Sequence, residues 1–222
     1  MNPEFWHERW AANQIGFHRA DVHPFLARYW PTLKVVPGAT VFVPLCGKSL
    51  DMHWLAERGH EIIGVELSEA AVSQFFAEAG LQPKCDSLSG LKRYTASGIT
   101  LYCGDFFSLT EEMMIDTGGI YDRAALVALP PDIRRRYVHH LRSILPRRHL
   151  DMLLVTLEYD QSLVAGPPHC VPATEIDMLF NGDTREHLAS MPDNAPPPKF
   201  VTAGISELTE HAWRIRLAPS HG

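Results

Sequence analysis

The stretch from Thr40 to Ser68 constrains the fold of this chain more than any other. It reads Thr-Val-Phe-Val-Pro-Leu-Cys-Gly-Lys-Ser over residues 40–49 and Gly-Val-Glu-Leu-Ser over residues 64–68. Val41 to Leu45 is a short apolar run of the kind found in parallel strands buried on both faces. Ser49 is placed to cap a helix carrying Met52, Leu55 and Ala56, which Gly59 closes. Ile62, Ile63 and Val65 then predict a second strand. In such βαβ units a glycine lets the backbone approach a ligand closely, and an acid about 20 positions on bonds ribose hydroxyls. Glu66 stands where that acid is required. Gly47-Lys48-Ser49 ends like a phosphate-binding G-x-x-x-x-G-K-S loop, but Phe42 occupies the place of its first glycine, which argues against a nucleoside triphosphatase.

With 222 residues, 45% of them apolar, the chain can bury one sizeable α/β core, and a single domain over residues 1–222 is expected. A net charge of −6 argues against a nucleic-acid partner and for small-molecule substrates. No run approaches the 18 or more apolar residues of a membrane span, and Met1-Asn-Pro-Glu-Phe-Trp lacks the features of a signal peptide. A cytoplasmic protein is therefore expected, with no membrane partner. The 4 cysteines (Cys46, Cys85, Cys103, Cys170) form no C-x-x-C pair, so free thiols are the reading. The 12 histidines show no ligand spacing of the H-E-x-x-H type, and no metal site is expected. No helix carries a heptad seam, which makes a monomer the default.

Along the chain, residues 3–12 place Trp6 and Trp10 on one face of a helix, and a second helix is predicted from His23 to Tyr29. Ser68 starts a helix through Phe75, Phe76 and Ala79 that ends at Gly80. Residues 81–90 read as a loop, and Leu91–Thr95 and Ile99–Cys103 as a hairpin around Ala96-Ser97-Gly98. A strand ends at Tyr121-Asp122-Arg123, a helix spans Asp132 to Leu145, and Leu150 to Leu157 is a buried strand. Pro172 to Phe180 reads as helix, Ala195 to Pro198 as surface loop, and Leu208 to Leu217 as the last strand. Strands alternating with helices predict a doubly wound sheet, whose strand carboxyl ends bind ligands.

With those elements placed, the chain resembles the thiopurine S-methyltransferase family, a branch of the S-adenosylmethionine-dependent methyltransferases. The resemblance rests on Phe5-Trp-His-Glu-Arg-Trp10, Gly16-Phe-His18, Val43-Pro-Leu-Cys-Gly-Lys-Ser49, Gly64-Val-Glu-Leu-Ser68, Gly104-Asp-Phe-Phe107, Tyr121-Asp-Arg-Ala-Ala-Leu126, Leu157-Glu-Tyr-Asp160 and Gly166-Pro-Pro168. It implies a Rossmann-like class I fold: one mostly parallel, seven-stranded sheet, with residues 1–36 as an N-terminal helical lid.

The resemblance further implies S-adenosyl-L-methionine contacts at Trp10, Leu45, Glu66, Asp105, Phe106 and Arg123, and a substrate contact at Phe17. Arg123 is also the expected catalytic aid, because a cation beside the acceptor favours its thiolate. Asp105 has a second reading, as a cap of the following turn. Aromatic or heterocyclic thiols such as thiopurines, and also selenium and tellurium species, are the implied acceptors. His169 stands where the family commonly has an aromatic, and Arg185 is a candidate for a substrate-side arginine. Two other classes fit the sequence less well. A nicotinamide-dependent oxidoreductase wants more glycines in the turn, and a non-catalytic S-adenosylmethionine-binding protein would bind without turnover.

Overall fold

The computed structural model describes residues 3–193 and 196–219. Its strands are β1 (Thr40–Val43), β2 (Ile62–Glu66), β3 (Lys84–Leu88), β4 (Leu91–Ala96), β5 (Ile99–Cys103), β6 (Thr117–Arg123), β7 (Leu150–Glu158), β8 (Thr184–Pro192) and β9 (Thr209–Leu217). The helices are α1 (Pro3–Ala11), α2 (Pro24–Tyr29), α3 (Asp51–Ala56), α4 (Glu69–Glu78), α5 (Glu111–Met114), α6 (Ala125–Ala128), α7 (Pro131–Ile144), α8 (Ala173–Leu179) and α9 (Pro198–Thr202).

The described strands form a 9-stranded sheet in the order β3-β4-β5-β2-β1-β6-β7-β9-β8. From β5 to β7 every neighbouring pair is parallel. Antiparallel pairs add β9 and β8 on one side, β4 and β3 on the other. The strands located from the sequence are β4, β5, β2, β1, β6, β7 and β9 of this order, and β3 and β8 widen the sheet by one strand at each edge. Residues 81–90, read as a loop, instead contain β3, and β8 carried no expectation at all. Both lie at sheet edges. An edge strand has one neighbour and open flanks, so Lys84-Cys-Asp-Ser-Leu88 and Thr184-Arg-Glu-His187 lack the apolar run or alternation that marks a strand from sequence.

The central strands show the opposite signature. All of β1 is buried, as are the first eight residues of β7, because the sheet is covered on both faces. Phe42, Ile120, Met152 and Leu154 point into one core with α7. Val41, Val43, Leu153 and Val155 point into the other, with Phe25, Leu26, Met52 and Phe75. Helix α7 buries Arg134, Tyr137, Val138, Leu141 and Ile144, one stripe of helical period. Each fully buried side chain of Leu or Phe size adds roughly 1.5–3 kcal/mol against its exposed state.

Helix starts follow the sequence with one correction. Ser68 caps α4 by accepting the Ala71 N–H, as expected. Ser49 does not cap α3: the helix begins at Asp51 behind Leu50, and the Ser49 hydroxyl accepts only the Asp51 N–H at 3.3 Å. Of the predicted loop at residues 195–198, residue 195 lies outside the described residues and Pro198 opens α9.

Candidate active site

The carboxyl ends of β1, β2 and β6 meet under α1 around a cleft. The turn after β1 makes its floor. Leu45 and Gly47 both take left-handed conformations, with φ of 47° and 54°, and the Cys46 N–H donates to Val65 O of β2. Gly47 has a second reason to be glycine: a Cβ there would lie 3.2 Å from Trp10 Cζ2. The turn and α1 are thus fitted to each other, and Trp10 is only 4% exposed.

Glu66 ends β2 with its carboxylate divided between two backbone donors. Oε2 accepts the Gly47 N–H at 2.9 Å and Oε1 accepts the Ser68 N–H at 2.8 Å. Burial raises its pKa above the ordinary carboxylate value, and the backbone donors of Ser68, Gly47 and Leu67 oppose that rise. Each oxygen keeps lone-pair capacity for a further hydroxyl donor.

The other end of the cleft is made by side chains. Arg123 closes β6, and its Nη1 donates to Phe17 O at 3.3 Å, which ties the segment after α1 to the sheet. Phe17 packs edge-on between Trp6 and Trp10, with ring centroids 5.7 and 5.6 Å away. Next to Arg123, Ala124 has a φ of 82°, a strained value for a residue with a Cβ. Asp122 holds that turn. It is fully buried, accepts the N–H groups of Ala125 and Leu126 on Oδ1, and takes the Tyr137 hydroxyl at 2.6 Å on Oδ2. Burial pushes its carboxyl up to about 6, against those three donors.

Charge around the cleft is uneven. Arg9, Lys48 and Arg123 line it, against the single carboxylate of Glu66. Lys48 is buried and pairs with Glu78 at 2.6 Å. His18 is held below the ordinary histidine pKa by burial and then by Lys48 and Arg123, with Glu78 and Asp51 opposing.

Five of the expected site residues therefore meet in one place: Trp10, Phe17, Leu45, Glu66 and Arg123. Two do not line it. Asp105 is exposed and caps the 3₁₀ turn at Phe106–Ser108 by accepting the Phe107 N–H. The Phe106 ring is buried against Phe42, Tyr137 and His140, leaving its backbone as the part a ligand could meet. His169 is folded against Gly166, where a Cβ would collide with its ring. Arg185 is corrected outright. It sits on β8, bonded to Asp177 and to the carbonyls of Phe180 and Asp183, and pins the turn before β8. The cations missed from sequence are Arg9, inside a motif recognised for its tryptophans, and Lys199 on α9. Lys199 donates to Pro167 O at the rim of the cleft. It had no motif to mark it.

The model of the thiopurine S-methyltransferase family matches residues 1–218. The chain belongs to that family. A thiopurine S-methyltransferase of Pseudomonas fluorescens (strain Pf0-1) is 50% identical over 217 residues, covering 97% of this chain and 99% of the relative. That of Pseudomonas paraeruginosa (strain DSM 24068 / PA7) is 53% identical, with the same coverage of 97% and 99%. Among solved structures, an S-adenosylmethionine-dependent methyltransferase of Anabaena variabilis matches with a TM-score of 0.66 at 15% identity, over 98% of this chain and 96% of that one. A Burkholderia thailandensis 1,6-didemethyltoxoflavin N1-methyltransferase, solved with bound S-adenosylhomocysteine, matches at 0.63 and 15% identity, over 97% and 87%. The structural matches support the methyltransferase fold, and membership of the family removes the nicotinamide reading. No described helix is long and apolar enough to cross a membrane.

Proposed function

We propose that this chain transfers the methyl group of S-adenosylmethionine to the sulfur of aromatic or heterocyclic thiols such as thiopurines, with selenium and tellurium species as further soft acceptors. One observation supports it above the rest: a buried carboxylate, fixed by the Gly47 and Ser68 backbone, lies at one end of a cleft whose other end gathers Arg9 and Arg123. The residues fit the cofactor. Glu66 has lone pairs left for two ribose hydroxyls, the left-handed turn at Leu45–Gly47 opens backbone to the ligand, and Trp10, which lines the cleft, would offer its ring to the sulfonium cation. Asp105 and the backbone of Phe106 would flank the adenine.

When bound, the sulfonium supplies an electrophilic methyl group, whose bonding pair returns to its sulfur as the acceptor's new bond to carbon forms. The protein's work is positional and electrostatic. Arg123 and Arg9 favour the ionised acceptor, and a thiol of ordinary pKa about 8.5 needs little further help to ionise. His18, held neutral, leaves that field to the arginines. Phe17 and Trp6 would pack on the acceptor ring, and α1 excludes water as a lid does. Proximity and orientation of this kind are worth up to roughly 7–11 kcal/mol. The reading includes action as a cytoplasmic monomer.

The test is methyl transfer from labelled S-adenosylmethionine to 6-mercaptopurine, thiophenols, selenite, tellurite, iodide and a phenol. Label on the sulfur or selenium acceptors and none on the phenol is expected. Cofactor binding without transfer to any acceptor would turn the reading into a sensor.

A further inference from the structure

The sequence scatters its histidines, yet the sheet brings two of them, 24 positions apart, within 3.2 Å of each other at its far edge. His187 lies on β8 and His211 on β9. A plain strand sends residues three apart to opposite faces. Here the register shifts between His187 and Ala189, and that irregularity turns His187 and Ser190 to one side. Ser190, opposite His211 in register, completes a triangle: its Oγ is 3.2 Å from His187 Nε2 and 3.0 Å from His211 Nδ1.

Three atoms with lone pairs and edges of this length match the separations, about 2.9–3.5 Å, of donors that hold one ion at about 2.0–2.2 Å. The other nitrogen of His211 strengthens the point. His211 Nε2 is buried without a hydrogen-bond partner among the described residues, and it faces the Glu158 carboxylate of β7 at 3.3 Å. A histidine that ligates through one nitrogen usually directs the other at a carboxylate, which fixes tautomer and ring. Behind the cluster, the Trp213 ring lies 4.6 Å from that of His187 and is itself anchored by its Nε1 bond to Thr156 Oγ1.

We propose that His187 Nε2, His211 Nδ1 and Ser190 Oγ bind one divalent transition-metal ion of the imidazole-preferring kind, with Glu158 orienting His211. Among the described residues no group of three or more His, Cys, Asp or Glu side chains is arranged to hold an ion. A hydroxyl therefore supplies the third protein ligand and water completes the sphere. The nearer of the two strands, β9, lies three places from β1 in the sheet, so the ion takes no part in methyl transfer. Its effect is to clip the edge strand β8 to β9.

Zn(II) titrated into the full chain by calorimetry should saturate at one ion per chain. At an excess of about 100-fold over the dissociation constant the thermal midpoint should rise by about 5–10 °C. Cu(II) in place of zinc should show two coupled imidazole nitrogens by electron paramagnetic resonance. His187→Gln should abolish the rise and leave one coupled nitrogen while methyl transfer is retained, and Ser190→Ala should weaken zinc binding several-fold. Absence of saturable binding, or an unchanged copper spectrum and zinc stoichiometry in His187→Gln, overturns the site.

Discussion

The two ends of the cleft are built by different means. At the cofactor end, one continuous stretch, residues 40–66, supplies strand, turn, helix and acid, and the contacts that fix it are backbone ones: Cys46 N–H to Val65 O, and Gly47 and Ser68 N–H to Glu66. At the acceptor end, α1, Phe17, Arg123 and the Pro167–Pro168 loop arrive from distant parts of the chain, and α9 reaches the rim through Lys199. What they present is side chains. A site made by backbone tolerates little change, whereas one made by converging side chains can alter its specificity by single substitutions. The proposed function divides along the same line, with a fixed methyl donor and a tunable acceptor.

The sharpest way to break this comparison is Glu66→Ala. The substitution removes the ribose partner and leaves two backbone N–H groups unsatisfied in a buried place. Cofactor affinity should fall by about 3 kcal/mol, roughly 100-fold, with acceptor KM changed far less. Calorimetry showing an unchanged dissociation constant would remove Glu66 from the cofactor site.

Asp122 tests whether the acceptor end depends on one buried side chain. Its carboxyl is raised from 3.8 to about 6, so the folded chain binds this proton more tightly than the unfolded one. Its stabilising contribution is therefore full below the unfolded value and is lost as pH rises through about 6. The difference of about two units corresponds to up to about 3 kcal/mol between pH 4 and pH 7. Asp122→Asn keeps the acceptor for the Ala125 and Leu126 N–H groups but cannot ionise. Denaturant unfolding of the variant should show a pH slope with that contribution missing. Identical slopes in the two proteins would mean that Asp122 titrates elsewhere.

Arg123→Ala sharpens the comparison from the acceptor side. Loss of a charged partner is worth on the order of 2 kcal/mol, so kcat for a thiol acceptor should fall about 30-fold while cofactor affinity stays within a few-fold. The pH profile should also shift upward, because a thiol without its neighbouring cation ionises later. A fall in cofactor affinity matching the fall in kcat would move Arg123 to the other end of the cleft.

What was legible in the sequence follows the same division. β1, β2 and most of β7 are apolar runs because both faces of the sheet are covered, and Glu66 and the Gly47 turn announce themselves by spacing. The edge strands β3 and β8 have polar sequences, so neither was visible. Arg185 looked like a substrate cation because only its type could be read, and its partner Asp177 comes near through the turn before β8. Asp105 takes the second of its sequence readings, capping the turn at Phe106–Ser108, and does not line the cleft. The pairing of His187 with His211 needs a strand irregularity that no spacing rule encodes.

The smallest expected effect falls on Lys199, and it tests how far the acceptor end extends. Lys199 is largely exposed and lies at the rim by its bond to Pro167 O, and partial burial of the ammonium and then Arg9 hold it below the ordinary lysine value. An exposed charge of this kind contributes about 1 kcal/mol or less. Lys199→Met keeps the length of the stem and removes the charge. KM for an acceptor carrying a carboxylate should rise about 2- to 5-fold, KM for an uncharged thiophenol should stay put, and cofactor affinity should not move. The contrast between the two acceptors carries the argument, because a loosened α9 would raise both values together. Equal changes for the charged and uncharged acceptors would confine the positive field to Arg9 and Arg123 and end the acceptor site at Pro167.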